Sequence, residues 1–200
     1  MIALIASFLI STNAPAAEVI AECRRMIPAE VKLEGRVILR NRRGMVKSEY
    51  AYVLERAGGE TKLSIDGKPF AGPSAPASDA SENCPLLDTD VTRDDLALAY
   101  LDWPEAADDV ERTGESVHGQ VCRVIDLKKD GRLVKAWIDC RTGALMQAEE
   151  HKDGRAVRRL WGTRIKKFGE RWMANVMEVE TLGSGHRTKI TVEKLDNQTE

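Results

Sequence analysis

Apolar and polar residues alternate along most of the chain, and this two-residue period predicts β-strands. In residues 31–39 the apolar side chains and Gly35 share alternate positions, and charged side chains fill most of the others. The same period returns in later segments, separated by turn signals such as Asp130-Gly131. We therefore expect strands at residues 31–39, 46–54, 62–65, 108–117, 120–128, 132–140, 144–151, 155–166, 171–181 and 186–195.

Two other segments have the spacing of amphipathic helices. Residues 18–27 carry an apolar stripe and end before a proline, and a second helix begins at Thr92, where Asp95 completes a start that resembles a capping box. Pro104 closes this second segment. Between the strands and this helix, residues 70–90 are rich in Ala, Pro and Ser, so we predict a long surface loop of the kind that often forms a lid or a binding loop.

Consecutive strands joined by tight turns pair antiparallel, and no alternation of strands and helices indicates a parallel sheet. A meander of about ten strands must curl, close on itself or be covered by helices. The predicted fold class is therefore mainly β with two helices (α+β): a curved antiparallel β-sheet that forms an unclosed half-barrel lidded by helices.

Composition narrows the class of protein. Hydrophobic residues make up 42% and charged residues 31% of the 200 positions, which is typical of one globular domain and not of a disordered or coiled-coil chain. The chain has a formal net charge of −2 and so lacks the excess of basic residues that is typical of nucleic-acid-binding proteins. We therefore expect no nucleic-acid partner.

The first 17 residues contain no charged side chain, and Ala14-Pro15-Ala16 fits the small-residue cleavage site of a secretory signal peptide. We predict that residues 1–17 are this signal and that residues 18–200 form one exported, soluble domain. The usual Lys or Arg after Met1 is absent, so the alternative is a buried N-terminal helix. The apolar run is shorter than the roughly 20 residues that span a bilayer.

Four cysteines fit an oxidising compartment. Cys122 and Cys140 lie on two predicted strands joined around Asp130-Gly131, and we predict a disulfide between them, although a two-residue loop puts their register off by one. Cys23 and Cys84 would then form the other pair, and four buried free thiols are the alternative.

Signals for catalysis are poor. The chain has no nucleophile elbow, phosphate loop or zinc motif, and His118, His151 and His186 each lie beside a predicted turn, where we expect them to be exposed. We predict no enzymatic activity, no catalytic residue, no metal and no cofactor.

Charge is segregated along the chain. Residues 79–115 hold 12 acidic and 2 basic residues, a net of −10, and residues 151–189 hold 10 basic and 4 acidic residues, a net of +6. Attraction between an acidic lid and a basic part of the sheet accounts for this pattern, as do solvated faces, and an anionic surface bound by the basic segment is the remaining alternative.

Large apolar side chains are spread over many strands, in greater number than two short helices can cover. Flexible apolar groups on a concave sheet suit a ligand without a polar handle, such as an acyl chain, and an ordinary core is the alternative. The residues that we expect to line this lipid-binding cavity are Leu33, Val37, Leu39, Tyr50, Tyr52, Leu54, Leu96, Tyr100, Leu101, Trp137, Met146, Trp161 and Met173.

Several loose motifs, in this order and spacing, resemble the outer-membrane lipoprotein-sorting family (LolA/LolB-like). The Gly35-led strand precedes them, and the resemblance covers most of residues 28–195. The motifs are Asp90–Trp103, Gly119–Val124, Ala136–Asp139, Leu145–Glu149, Arg158–Trp161 and Trp172–Glu178.

This resemblance implies a half-barrel whose helices lid a hydrophobic cavity, and a periplasmic protein that binds lipoprotein acyl chains or other lipid without catalysis. It implies inner- and outer-membrane lipoprotein-sorting components as partners, and we expect a monomer. The same scaffold also serves periplasmic regulatory or interaction modules that transport nothing, which is the alternative function. The carrier of the family has an Arg-Pro pair whose arginine holds the lid, whereas residues 39–43 here read Leu-Arg-Asn-Arg-Arg and leave that role open.

Overall fold

The computed structural model describes residues 14–70, 85–168 and 171–196, and this part of the chain forms two helices and twelve strands. The helices are α1 (Ala16–Arg25) and α2 (Arg93–Ala97). The strands are β1 (Val31–Arg40), β2 (Val46–Ala57), β3 (Glu60–Ile65), β4 (Lys68–Pro69), β5 (Glu105–Asp108), β6 (Ser116–Val117), β7 (Gln120–Lys129), β8 (Arg132–Asp139), β9 (Leu145–Lys152), β10 (Arg155–Phe168), β11 (Arg171–Thr181) and β12 (Arg187–Asp196).

The chain divides into two compact units. The lid unit comprises residues 28–99 and 156–200, and its strands follow the order β4-β3-β2-β1-β12-β11-β10. The helix unit comprises residues 1–27 and 100–155, and its strands follow the order β9-β8-β7-β5, with β6 also paired with β7. The pairs resolved within each unit are antiparallel, as the tight turns predict.

Two-residue turns set the register of the hairpins. Asp130 and Gly131 both have positive φ, and Lys129 pairs with Arg132, which is the geometry of a type I′ turn. Asp66 and Gly67 repeat this geometry between β3 and β4. A type I′ turn matches the right-handed twist of the flanking strands, so these dipeptides locate hairpins from sequence alone.

The register of the β7–β8 hairpin corrects the predicted disulfide. Cys122 pairs with Asp139, so Cys140 follows one residue later, beyond the end of β8. Successive residues of a strand point to opposite faces, and the structure has both cysteines as free thiols. Cys23 is also a free, buried thiol, and Cys84 lies outside the described residues.

Gly35 is required by the close approach of two neighbouring strands. A Cβ at this position would lie 1.8 Å from the carbonyl oxygen of Thr191 on β12 and 3.0 Å from the ring of Tyr52 on β2. The tyrosine ring covers the surface that a side chain at Gly35 would otherwise occupy, and β1 is bulged here against β12.

The central strand of the helix unit, β8, is buried on both faces. Val134, Ala136 and Ile138 alternate along β8 with Trp137 and Asp139, and all five are buried. Helix α1 belongs to this unit, buries its predicted apolar stripe and contacts β5. The helix predicted at residues 18–27 is therefore confirmed, with a start at Ala16.

Three segments differ from the sequence-based expectation. Residues 108–117 form a short 3-10 turn between β5 and β6 instead of one strand. The helix begun at Thr92 ends at Leu98, which has the left-handed backbone conformation, and a separate 3-10 turn follows. Residues 71–84 of the predicted surface loop lie outside the described residues, whereas Leu86 and Asp90 at its end are buried.

Among the helices of the described residues, none is long and apolar enough to cross a membrane. The predicted signal peptide falls largely on residues 1–13, outside the described part of the chain, and both it and the single domain after residue 17 stay predictions.

Candidate functional site

One face of the lid unit's sheet is apolar and lies against a single stretch of chain. We call residues 85–99 the lid segment, and this segment contributes Leu86, Val91, Leu96 and Ala97 to a buried cluster. The inward-facing positions of six strands supply the remaining members. These are Val37, Tyr52, Leu54, Leu63, Ile65, Leu160, Val179 and Ile190, with Leu33, Tyr50, Phe70 and Met177 packed against them.

Local hydrogen bonds shape the lid segment. The Thr92 side chain accepts a hydrogen bond from the backbone N–H of Asp95, and the Asp95 carboxylate accepts one from the backbone N–H of Thr92 at 2.7 Å. This capping box confirms the predicted helix start. Because it fixes the first turn of α2, Leu96 and Ala97 are directed at the sheet and Asp95 at its margin.

Charged and polar groups of the sheet hold this segment at one side of the cluster. Arg158 of β10 forms an ion pair with Asp95 and donates a hydrogen bond to the backbone oxygen of Asp90 at 2.8 Å. On β12 the hydroxyl of Thr188 lies 3.1 Å from the Asp90 carboxylate and accepts the Asp90 N–H at 3.0 Å. One basic residue of the +6 segment thus meets the acidic segment, in line with the attraction that the charge pattern suggested.

Further contacts hold the lid segment from β2. Arg56 donates to the backbone oxygen of Ala97 at 2.7 Å, and Asp88 accepts hydrogen bonds from Tyr50 at 3.0 Å and from Ser48 at 3.1 Å. The hydrogen bond to Asp88 raises the pKa of the Tyr50 hydroxyl, because the phenolic proton is needed for the contact. Polar contacts therefore lie at both margins of the apolar cluster.

Arg56 and Arg158, which contact the lid segment, lie outside residues 39–43, the stretch where the resemblance suggested a lid-holding arginine. Arg42 and Arg43 are exposed, and Arg42 lies beside Gly185. Arg56 and Arg158 occupy positions that strand alternation assigns to the inner face, next to Leu54 and Leu160. A charged residue at an inward position was the sequence signal that could have identified them.

The structure brings together six of the thirteen predicted cavity residues. Leu39 is buried further along the same face of β1, at a position paired with Ser48. Tyr100 and Leu101 are buried in a 3-10 turn that belongs to the helix unit. The side chain of Met173 lies outside what the structure describes. The six residues of the cluster are Leu33, Val37, Tyr50, Tyr52, Leu54 and Leu96.

Trp161 was wrongly assigned to the cavity. Leu160 belongs to the cluster, so its neighbour Trp161 points to the opposite face, where it pairs with Glu178. The guanidinium of Arg187 lies 5.1 Å from the centre of its ring. This tryptophan therefore packs with a cation on the outer face of the lid unit.

Trp137 and Met146 belong to another cluster, in the helix unit. The Trp137 indole donates to Glu115 at 2.9 Å, and Arg112 stacks over its ring at 5.5 Å. This apolar group is bordered by charged residues, so the prediction that it lines the same cavity as the lid-unit residues is not supported by its packing.

The prediction of exposed histidines is wrong for His151. Its side chain is buried, and its Nε2 lies 3.4 Å from the Glu149 carboxylate, which is itself buried. His118 is exposed beside its turn, as expected, and His186 is half-buried. Among the residues that the structure describes, no group of three or more His, Cys, Asp or Glu side chains is arranged to hold a metal ion.

The chain is similar to known proteins in sequence and in structure. A family model described as "Uncharacterized protein" matches residues 76–200, and no curated protein matches the chain. A LolA superfamily protein of Nitrosomonas europaea is similar in structure, with a TM-score of 0.74 and 14% identity over 94% of this chain and 95% of that chain.

Two further solved structures are similar. One is a DUF1329 family protein of Desulfovibrio piger, with a TM-score of 0.66 and 16% identity over 92% of both chains. The other is a domain of Vibrio parahaemolyticus assigned to outer-membrane lipoprotein sorting, with a TM-score of 0.66 and 13% identity over 92% of both chains. These likenesses show the fold, and the predicted LolA/LolB-like fold class is confirmed.

Proposed function

The chain belongs to the family whose model spans residues 76–200 and has a LolA/LolB-like fold, and on this premise we propose that it is a periplasmic lipid carrier. It holds an acyl chain of a lipoprotein, or of another lipid, against the inner face of the lid unit. The partners are an inner-membrane donor and an outer-membrane acceptor of lipidated cargo, the protein acts as a monomer, and no catalytic step is involved.

One observation carries the proposal: an apolar layer of the lid segment covers an apolar sheet face and is held by polar contacts at its margins. Leu86, Val91 and Leu96 fill the face as separate side chains of one short segment. Displacing them uncovers a surface that already matches an acyl chain, because the buried charges Arg56, Asp90 and Asp95 of the described residues lie at its margins.

The free energy gained by burying an acyl chain is comparable to the free energy lost when the lid side chains leave the sheet face. Burial of one apolar side chain contributes about 1.5–3 kcal/mol. Burial of an acyl chain contributes about 0.8 kcal/mol per methylene, so a long chain offsets the contacts that three lid side chains lose. Binding is then an exchange of one apolar layer for another, and the marginal hydrogen bonds decide how readily it begins.

The test uses a fluorescent fatty-acyl probe and the variant Leu33→Asp. Leu33 is half-buried at the edge of the cluster, so a carboxylate there can reach water, whereas Tyr52→Asp would bury a charge and unfold the chain. We expect Leu33→Asp to lose probe binding with a nearly unchanged melting temperature.

The matched control is Ile38→Asp, on the outer face of the same strand, opposite Glu49 and Lys189. It should retain the probe. A wild-type protein that never binds the probe, together with a collapse of the melting temperature in Leu33→Asp, would show an ordinary core and end the carrier proposal.

The alternative is a regulatory or interaction module on the same scaffold. The closed packing of the lid segment favours it, because the lid side chains already fill the face that a ligand would use. Native mass spectrometry of protein purified from its host envelope separates the two functions: co-purified lipid supports the carrier, and a lipid-free protein bound to a partner supports the module.

A further inference from the structure

Among the described residues of the lid unit, four large apolar side chains are exposed to solvent. The exposed fraction is 57% for Met45, 53% for Val46, 52% for Leu87 and 36% for Leu182. Single exposed apolar residues are ordinary, whereas a group of them at one place marks a surface that meets another apolar phase.

Contacts show that these residues share one end of the lid unit. Arg42, in the β1–β2 turn with Met45, lies against Gly185 in the β11–β12 turn that begins with Leu182, so that a Cβ on the glycine would be 1.9 Å from the arginine Nε. Lys47 Nζ lies 3.2 Å from His186 Nε2 and joins the same two hairpins.

The lid segment reaches this end as well. Asp88 follows Leu87 and accepts a hydrogen bond from Ser48, which is two residues beyond Val46 along β2. Two hairpin turns and the start of the lid segment therefore meet. We call this group the hairpin-tip surface, and it consists of Arg42, Arg43, Met45, Val46, Lys47, Leu87 and Leu182.

The charge of this surface is positive. Arg42, Arg43 and Lys47 are all exposed, and no acidic residue occurs between residues 40 and 47. The nearby carboxylate of Asp88 is engaged by the hydroxyls of Ser48 and Tyr50. Cations beside protruding apolar side chains match an anionic lipid interface, where the apolar groups enter the acyl boundary and the cations meet the headgroups.

From this juxtaposition we propose that the hairpin-tip surface docks the protein on an anionic lipid bilayer. Turn tips insert side chains without exposing unpaired strand edges, because their backbone groups are bonded locally, as between Asn41 and Met45. The docking concerns a different surface from the proposed acyl site and does not depend on acyl binding.

The helix unit offers a comparison within the same molecule. Val110 is 81% exposed, more than any apolar residue of the hairpin-tip surface, but its neighbours along the chain are Asp109 and Glu111. An anionic bilayer repels these two carboxylates. Val110 therefore provides a matched control for loss of an exposed apolar side chain.

The experiment measures flotation with vesicles of 70% phosphatidylcholine and 30% phosphatidylglycerol at low salt. Wild-type protein should float with these vesicles, and should do so at least about tenfold less with pure phosphatidylcholine. The variant Met45→Ser/Leu182→Ser should lose most of this binding, and Val110→Ser should keep it.

A second variant tests the cations. Arg43→Gln/Lys47→Gln should bind roughly 30-fold more weakly, because each cation near an anionic surface contributes about 1 kcal/mol. High salt should weaken wild-type binding in the same direction. Circular dichroism checks that each variant is folded.

Three results would overturn the proposal. Wild-type protein that does not float would leave this surface to a protein partner, and equal losses in Val110→Ser and Met45→Ser/Leu182→Ser would deny it a special role. The Leu33→Asp protein separates docking from the carrier function: retained flotation without acyl-probe binding supports docking alone, whereas loss of both would show that vesicle binding proceeds by lipid extraction.

Discussion

The lid segment of the lid unit and the 105–117 segment of the helix unit are both held against a sheet, by different side-chain contacts. The first packs Leu86, Val91 and Leu96 into an apolar cluster and uses polar contacts only at its margins. The second pairs with β7 through β5 and β6 and adds charged side-chain contacts: Arg123 pairs with Asp108 in a two-bonded contact, at 2.5 and 2.7 Å.

The charged contacts continue along that segment. Lys135 lies 2.6 Å from Asp109 and 2.7 Å from Asp126, and Arg112 reaches both Glu115 and Trp137. An apolar layer can be exchanged for an apolar ligand, because nonpolar contacts have little directional preference. A set of paired charges cannot, because each separated charge would be left in a poorly solvated place. If the proposed acyl ligand binds, we therefore expect it to exchange with the lid segment and to leave the 105–117 segment in place.

The strongest test of this contrast is Leu160→Ala, which removes a fully packed member of the lid-unit cluster. We expect the free energy of unfolding to fall by about 2–5 kcal/mol, from lost burial and the cavity left behind. Urea unfolding in 0.05 M and 1 M NaCl measures it, and the loss should be the same at both salt concentrations. A loss that salt halves would contradict an apolar origin.

The next largest effect is expected at the lid margin. Asp95→Asn removes the charge that Arg158 pairs with and keeps an oxygen for the capping box. We expect a loss of about 1–3 kcal/mol in stability. Hydrogen exchange in residues 85–99 should accelerate at least tenfold, and acyl-probe association should become faster, because the lid opens more often.

The control for that variant is Asp102→Asn, which makes the same chemical change in the exposed pair with Arg24. It should alter neither exchange in residues 85–99 nor probe association, since exposed pairs contribute little. Unchanged exchange of the lid segment in Asp95→Asn would mean that the apolar contacts alone hold it closed.

Sequence patterning predicts the lid unit much better than the helix unit, and the reason is physical. Where one face of a strand is buried and the other wet, as at Leu33, Val37 and Tyr52, alternation identifies the inner face directly. On β8 both faces are buried, so Trp137 carries no signal of which side it faces.

The site residues that the sequence missed are polar. Arg158 and Thr188 become lid contacts only when β10 and β12 are brought opposite Asp90 and Asp95, far apart in the chain. Charge segregation indicated that acidic and basic segments attract, but not which residues meet. Trp161 shows the opposite error: size and apolarity suggested the cavity, while its position beside Leu160 in the alternation put it outside.

Acid should weaken the helix unit before the lid cluster. The hydrogen bond from Lys135 holds the pKa of Asp109 below its usual value, and that from Arg123 does the same for Asp108. Stabilisation from a lowered pKa is complete above the unfolded value of about 4 and is lost as the pH falls through the lower folded value.

The wild-type advantage over Asp109→Asn in urea unfolding should therefore be largest at pH 6–7 and shrink below about pH 4. Leu160→Ala should show a difference from wild type that does not vary with pH in the same way, since no titrating group is removed. A pH-independent advantage over Asp109→Asn would show that shape, and not charge, holds the 105–117 segment.

The smallest expected effect concerns the thiols of the helix unit. Burial raises the pKa of Cys23 to about 12 and that of Cys122 to about 11, and it raises the pKa of Cys140 as well. At pH 7.5 the reactive thiolate is therefore a minute fraction of each, so alkylation of the folded protein by iodoacetamide should be slow.

Mass spectrometry follows the labelling, with protein unfolded in urea without reductant as the control. There Cys122 and Cys140 should both be modified, because the β7–β8 register leaves them as separate thiols. Protection of both in urea, released only by a reductant, would mean that the register had shifted by one residue to join them.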